Sequence, residues 1–130
     1  MKIEGRRMDK KEDLRKRTKT YASAIIRLYC SLPKGRPEVR VLGGQLLRSG
    51  TSVAANYREA SRARSNAEFV SRIETCIQEA DESNLWLELL HEDCGIDSEG
   101  LRFLLRETNE LISIFVTMAK NVKKKLRAEN

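Results

Sequence analysis

The chain has 130 residues, of which 40% are hydrophobic and 34% charged, and its formal net charge is +6. A chain of this length suits one domain, which buries about two-thirds of its unfolded surface on folding. Only 5% of the residues are aromatic, and glycine (7) and proline (2) are few, which disfavours a β protein with its many turns and aromatic, β-branched strands. We therefore expect a single all-α domain over residues 1–130, with residues 1–8 as a basic, flexible segment.

The cysteines are Cys30, Cys76 and Cys94, a sparse and unclustered set that does not resemble a disulfide framework. We expect buried free thiols in a reducing compartment. The first twenty residues carry charge without the apolar core of a signal peptide, and no apolar run approaches the roughly 20 residues of a membrane span. These features predict a cytoplasmic protein that does not enter a membrane.

Charge is segregated along the chain. Residues 65–100 hold one basic and ten acidic residues, whereas residues 21–64 hold eight basic and two acidic. The ends are also basic, with nine basic and four acidic residues in 1–20 and seven and three in 101–130. We expect the acidic segment to pair with basic helices of the same chain or of another subunit, so that part of the basic surface stays unpaired. The positive excess permits an acidic partner such as nucleic acid.

Two helices are predicted around the clearest break in the chain, which is marked by Pro33 and Pro37. The first helix covers about residues 9–32, and the second begins near Pro37 and runs to about residue 62. Both have a stripe of apolar residues at helical spacing. The second also holds three glycines, which either kink it or let a neighbouring helix approach closely: Gly43, Gly44 and Gly50.

Two further helices follow. Ser65 and Glu68 form a capping-box pattern that starts a helix over about residues 66–94, and Gly95 is suited to end it. A fourth helix is predicted over about residues 98–127. Because the connections are short, sequential helices lie antiparallel, and we expect an up-down-up-down four-helix bundle.

The chain offers little that could perform catalysis. His91 is the only histidine, and with Cys94 it could supply two metal ligands on one helix face, which is a weak signal without a second pair. A di-iron bundle needs two Glu-x-x-His motifs, and the glycines near Gly44 lack the Gly-Lys-[Ser/Thr] ending of a phosphate loop. We expect no enzyme activity, no metal and no cofactor.

Arginines are the remaining candidates for a binding site. They cluster through the second helix and the turn after it, and others lie near the N-terminus. Arginine grips phosphate bidentately, although such residues can equally be solvated or pair with the acidic helix. Because aromatic residues for base stacking are few, binding would read shape and charge. The candidate nucleic-acid ligands are Arg48, Arg58, Arg62, Arg64, Arg15 and Arg17.

The middle of the chain carries a distinctive pattern, LLRSGTSVAANYREA at residues 46–60, followed by RARSNAEF at residues 62–69. It resembles the signature of the 23S ribosomal RNA intervening-sequence proteins, and the resemblance extends over about residues 20–120. It implies an up-down bundle that assembles as a ring-like homopentamer, with no established enzymatic activity. A similar protein is the accessory variability protein of diversity-generating retroelements, which works with a reverse transcriptase and nucleic acid.

Polar residues of this signature are candidates for helix packing or subunit contacts, since bridges between buried helices require such groups. Direct contact with a ligand is the alternative. These residues are Ser49, Thr51, Asn56, Glu59 and Glu68.

The resulting hypothesis is a non-catalytic, homo-oligomeric scaffold that binds structured RNA or DNA. The alternative is an adaptor whose basic surface docks an acidic protein, such as a reverse transcriptase or other enzyme, without nucleic acid.

Overall fold

The structure, a computed structural model, describes the backbone of residues 2–129 and the side chains of residues 13–129. Its helices are α1 (Lys2–Ser31), α2 (Pro37–Ala60), α3 (Asn66–Glu92) and α4 (Glu99–Glu129). Each helix packs against the next in the chain, and α1 closes the bundle with sparser contacts to α4. This confirms the predicted all-α, antiparallel four-helix bundle.

The helix boundaries differ by a few residues from those predicted. α2 ends at Ala60 rather than near residue 62, and α3 ends at Glu92 rather than near 94. α1 begins at Lys2 rather than near residue 9. The predicted flexible segment, residues 1–8, lies outside the part of the chain whose side chains the structure describes. None of the described helices is both long and apolar enough to cross a membrane.

The start of α3 has the predicted cap. The Ser65 hydroxyl accepts a hydrogen bond of 3.1 Å from the Glu68 backbone N–H, and the Glu68 carboxylate accepts one of 3.0 Å from the Arg64 N–H. Two backbone donors at the helix start are therefore satisfied by side chains.

The end of α3 uses the predicted glycine. Gly95 has a φ of +71°, a conformation that glycine adopts without steric cost, and the Ile96 N–H donates to the Leu90 carbonyl at 3.0 Å. The His91 ring donates from Nδ1 to the Ile96 carbonyl at 2.8 Å. The histidine therefore fastens the turn between α3 and α4.

Gly50 lets α1 and α2 approach closely. A Cβ atom added at Gly50 would lie 2.7 Å from Cγ1 of Ile25, and one at Gly43 would lie 2.8 Å from Cδ1 of Leu32. At Gly44 the same atom would meet nothing within 4 Å. Close approach, one of the two predicted roles, is therefore observed at Gly43 and Gly50.

A layer of hydroxyl groups crosses the middle of the apolar core, and each helix supplies one. The Tyr21 hydroxyl of α1 lies 2.6 Å from Thr108 Oγ1 of α4, and the Ser49 and Ser83 hydroxyls of α2 and α3 lie 2.7 Å apart. All these side chains are at most 1% exposed. Burial raises the pKa of Tyr21 to about 12, and hydrogen bonding with Thr108 and Ser83 partly offsets this rise.

Candidate nucleic-acid interface

The antiparallel topology brings separate basic stretches to one end of the bundle. The N-terminal part of α1, the connection from α2 to α3 and the C-terminal part of α4 all lie there. Residues 13–19, 58–72 and 120–129 together hold thirteen basic and four acidic residues. Lys123 fastens the end of α4 to α3 through an ion pair of 2.8 Å with Glu74.

A basic cleft lies at this end, between α1, α2 and the start of α3. Its volume is about 760 Å³. Four of the six predicted arginines line it, and the cations outnumber the carboxylates by six to two. The charged lining residues are Arg15, Lys19, Arg58, Glu59, Arg62, Arg64, Glu68 and Arg72.

The two carboxylates of the basic cleft are already engaged. Glu59 forms an ion pair of 2.9 Å with Arg72, and Glu68 accepts the Arg64 backbone N–H in the helix cap. The side chains of Arg58, Arg62 and Arg64 are exposed and make no hydrogen bond or ion pair with residues 13–129. Three guanidinium groups without a bond to residues 13–129 therefore face one cleft, an arrangement suited to phosphate oxygens.

Arg72 is a cleft residue that the sequence reasoning did not select. It is the only basic residue in the acidic segment 65–100. It lies four residues after Glu68, so helical spacing places both on the same face of α3, beside the turn that carries Arg62 and Arg64. That spacing is the signal that could have identified it.

Arg48 and Arg17 lie outside the basic cleft and are paired within the chain. Arg48 contacts Glu79 at 3.2 Å and Glu82 at 2.8 Å, both on α3. Arg17 donates two hydrogen bonds, of 2.7 and 2.8 Å, to the carboxylate of Glu107 on α4. The bond with Glu107 raises the pKa of Arg17, so this guanidinium stays charged. Arg48 therefore has the predicted pairing with the acidic helix. Arg17 pairs instead with a carboxylate of α4, which lies outside the acidic segment.

The polar residues of the signature form hydrogen bonds or ion pairs with other residues of the same chain. Ser49 is fully buried against Ser83, as part of the hydroxyl layer. Thr51 donates to the Leu47 carbonyl at 2.7 Å, and Asn56 donates to the Ser52 carbonyl at 2.9 Å. With Glu59 and Glu68 in the pairs described above, each of the predicted polar residues has a partner in its own bundle.

The cysteines divide into one exposed and two buried thiols. Cys30 is exposed, so the expectation of burial is wrong for this residue, which lies on the outer face of α1. Cys76 and Cys94 are buried as free thiols. Burial raises the pKa of Cys76 to about 12, so its thiol is protonated at neutral pH. Within residues 13–129, no three His, Cys, Asp or Glu side chains are grouped to hold a metal.

The fold and the cleft together define a basic, antiparallel four-helix bundle protein. The sequence profile of the 23S rRNA-intervening sequence protein family matches residues 10–117, and the chain belongs to this family. A solved structure from Bacteroides thetaiotaomicron, described as a protein with unknown function from the S23 ribosomal protein family, is 32% identical with a TM-score of 0.74. The match covers 82% of this chain and 97% of that one. No curated relative matches the chain.

Proposed function

We propose that the protein is a non-catalytic, homo-oligomeric scaffold that binds the phosphate backbone of structured RNA or DNA in its basic cleft. One observation carries the proposal: Arg58, Arg62 and Arg64 line the same cleft, and their side chains make no bond with the described residues. Neutralising phosphates with such groups releases bound counterions, which drives association.

The chemistry of the cleft favours backbone contacts over base recognition. Its lining consists of arginine, lysine, glutamate, threonine and alanine, and it includes no aromatic side chain among the residues described. Proteins that bind single strands stack successive bases on aromatic rings. A site without them suits a folded or double-stranded nucleic acid, whose phosphates are held at regular spacing.

Assembly into a homo-oligomer, which the family resemblance implies to be a pentamer, is the second part of the proposal. Large apolar side chains are exposed on several helices, among them Val41 (61%), Leu85 (48%) and Val116 (46%). A second copy of the chain would cover such residues. Native mass spectrometry tests this directly: a species of five chains supports the pentamer, and a monomer at micromolar concentration contradicts the oligomer.

Binding to a labelled RNA stem-loop over a series of salt concentrations tests the main proposal. Each neutralised phosphate contributes a slope of about −0.7 to −0.9 in log K against log salt. We expect micromolar or tighter affinity and a steep slope. Absence of binding even at low salt would contradict the proposal and favour an adaptor that docks an acidic protein, such as a reverse transcriptase.

Substitution locates the binding surface. The triple variant Arg58→Gln, Arg62→Gln, Arg64→Gln should weaken RNA binding and flatten the slope by about 2 to 3 if each arginine contacts one phosphate. Arg48→Gln is the matched control, because Arg48 is already paired with Glu79 and Glu82. Equal losses in the two variants would show that RNA binds elsewhere. Dissociation of the triple variant to monomers would instead assign the arginines to a subunit contact.

A further inference from the structure

A second cavity, the Tyr57 groove, lies between α1 and α4, the neighbouring pair with the sparsest contacts. Its volume is about 550 Å³, and Tyr57 of α2 also lines it. Leu14, Ile114 and Met118 contribute apolar side chains. None of the described residues lines both the groove and the basic cleft. On α1, for example, Arg15 and Lys19 line the cleft, whereas Leu14 and Arg17 line the groove.

Tyr57 has a buried polar atom without a partner among the described residues. Its side chain is fully buried, with its ring stacked on Phe115 at 6.0 Å between centroids and 24° between planes. Its hydroxyl nevertheless has no hydrogen-bond partner among the side chains and backbone of residues 13–129. Tyr21, the other fully buried tyrosine, bonds to Thr108. Buried polar groups are almost always bonded, so an unpartnered one in the lining of a cavity indicates a place for a ligand.

The charged residues of the groove do not favour an ion. Arg17 donates two hydrogen bonds to Glu107, and this carboxylate neutralises its charge, so Arg17 attracts an anion only weakly. Asp13, the carboxylate of the groove, is exposed. Burial raises the pKa of Tyr57 to about 12, so its hydroxyl remains a neutral donor at physiological pH. The walls are mainly apolar, and Ser113, Thr117 and Asn121 add neutral polar groups beside Tyr57. Mainly apolar walls with a few polar groups are typical of small-molecule sites, whose volumes are about 300–1,000 Å³.

We propose that the Tyr57 groove binds a small, neutral, largely apolar molecule whose hydrogen-bond acceptor receives the Tyr57 hydroxyl proton. This site is separate from the proposed nucleic-acid interface and does not depend on it. The ligand satisfies the buried donor and covers the apolar side chains of Leu14, Ile114 and Met118.

A pair of matched probes tests the proposal: acetophenone, which carries a carbonyl acceptor, and ethylbenzene, which has nearly the same shape without one. Each is titrated into the protein while the methyl resonances of Leu14, Ile114 and Met118 are followed by NMR. Acetophenone should shift these methyls and bind about fivefold more tightly than ethylbenzene, the ratio expected for one hydrogen bond.

Tyr57→Phe separates the hydrogen bond from the shape of the groove. The variant should fold with a melting temperature at least equal to that of the wild type, because it removes an unpartnered buried hydroxyl. Its affinity for ethylbenzene should be unchanged, and the advantage of acetophenone should disappear. The proposal is overturned if neither probe shifts the groove methyls, as expected for a groove that holds only water. It is equally overturned if acetophenone keeps its advantage in Tyr57→Phe.

Discussion

The Ser49 hydroxyl of α2 lies 2.7 Å from the Ser83 hydroxyl of α3, and both side chains are fully buried. Ser83 also donates to the Glu79 carbonyl of its own helix at 2.8 Å, whereas the other contact of Ser49 is a long one of 3.4 Å to the Leu46 carbonyl. Ser49 therefore depends on Ser83 more than Ser83 depends on Ser49. A hydroxyl left without its partner here has no access to water.

The serine pair can be tested by substitution. Ser83→Ala should lower the free energy of unfolding by about 1–2 kcal/mol, because it leaves the buried Ser49 hydroxyl with one weak contact. The double variant Ser49→Ala, Ser83→Ala should lose less than the sum of the single variants, since no unpartnered hydroxyl remains. Urea denaturation measures each value. Ser71→Ala, at an exposed site on α3, is the control and should change little. Strictly additive losses would show that the two hydroxyls are not coupled.

The glycines of α2 offer a second test with an internal control. Gly50→Ala should destabilise the protein by about 1–3 kcal/mol, because the new Cβ would lie 2.7 Å from the branched Ile25 side chain. Gly44→Ala should stabilise it by about 0.5–1 kcal/mol, because alanine favours the helix and the site is open. Thermal unfolding measures the change in stability of each variant relative to the wild type. Stabilisation by Gly50→Ala would mean that α1 moves aside at little cost.

Stability should fall at alkaline pH because of buried tyrosines. The pKa of Tyr21 and that of Tyr57 are both raised from 10.0 to about 12 in the folded protein. Between these values the folded chain keeps protons that the unfolded chain has lost, so the free energy of unfolding decreases as the pH rises from about 10 to about 12. The stabilisation that the two protonated tyrosines provide is fully present below pH 10 and is lost as the pH rises to about 12. Urea denaturation at a series of pH values measures the slope, which Tyr57→Phe should reduce. An unchanged slope in this variant would contradict the assignment.

Thiol reactivity should distinguish Cys30 from Cys76. Cys30 is exposed, whereas Cys76 is fully buried with a pKa of about 12, and the thiolate is the reactive form. Ellman's reagent should therefore modify Cys30 rapidly in the native protein, and Cys76 only after unfolding. Cys30→Ser should abolish the rapid phase. A rapid phase that persists in this variant would show that a buried thiol becomes accessible by local opening.

Much of the fold could be predicted because its determinants are local. The cap at Ser65 and Glu68 spans three residues, and the apolar stripes recur within one or two helical turns. The proline break and Gly95 likewise act on the backbone beside them. These signals predicted four helices, and their short connections predicted the antiparallel order.

The candidate site could be predicted only in part. Sequence reasoning selected Arg58, Arg62 and Arg64, which lie close together in the chain and line one cleft. It also selected Arg48 and Arg17 as nucleic-acid ligands, although both are paired within the chain. The carboxylate partners of Arg48 are 31 and 34 residues away, and that of Arg17 is 90 residues away. Helical periodicity places a side chain on a face of its own helix. It does not say which residue of the neighbouring helix stands opposite.

The sequence by itself determined the helices, their caps, the residues of the apolar stripes and the excess of positive charge. The tertiary structure alone decided which arginines form ion pairs and that Cys30 faces outward. It also decided that the Tyr57 hydroxyl, beside a groove, has no partner in the described part of the chain. The physical reason is that these properties depend on how far each helix is rotated and shifted against the next. That register follows from packing over the whole bundle, including the close approach at Gly50 and the hydroxyl layer.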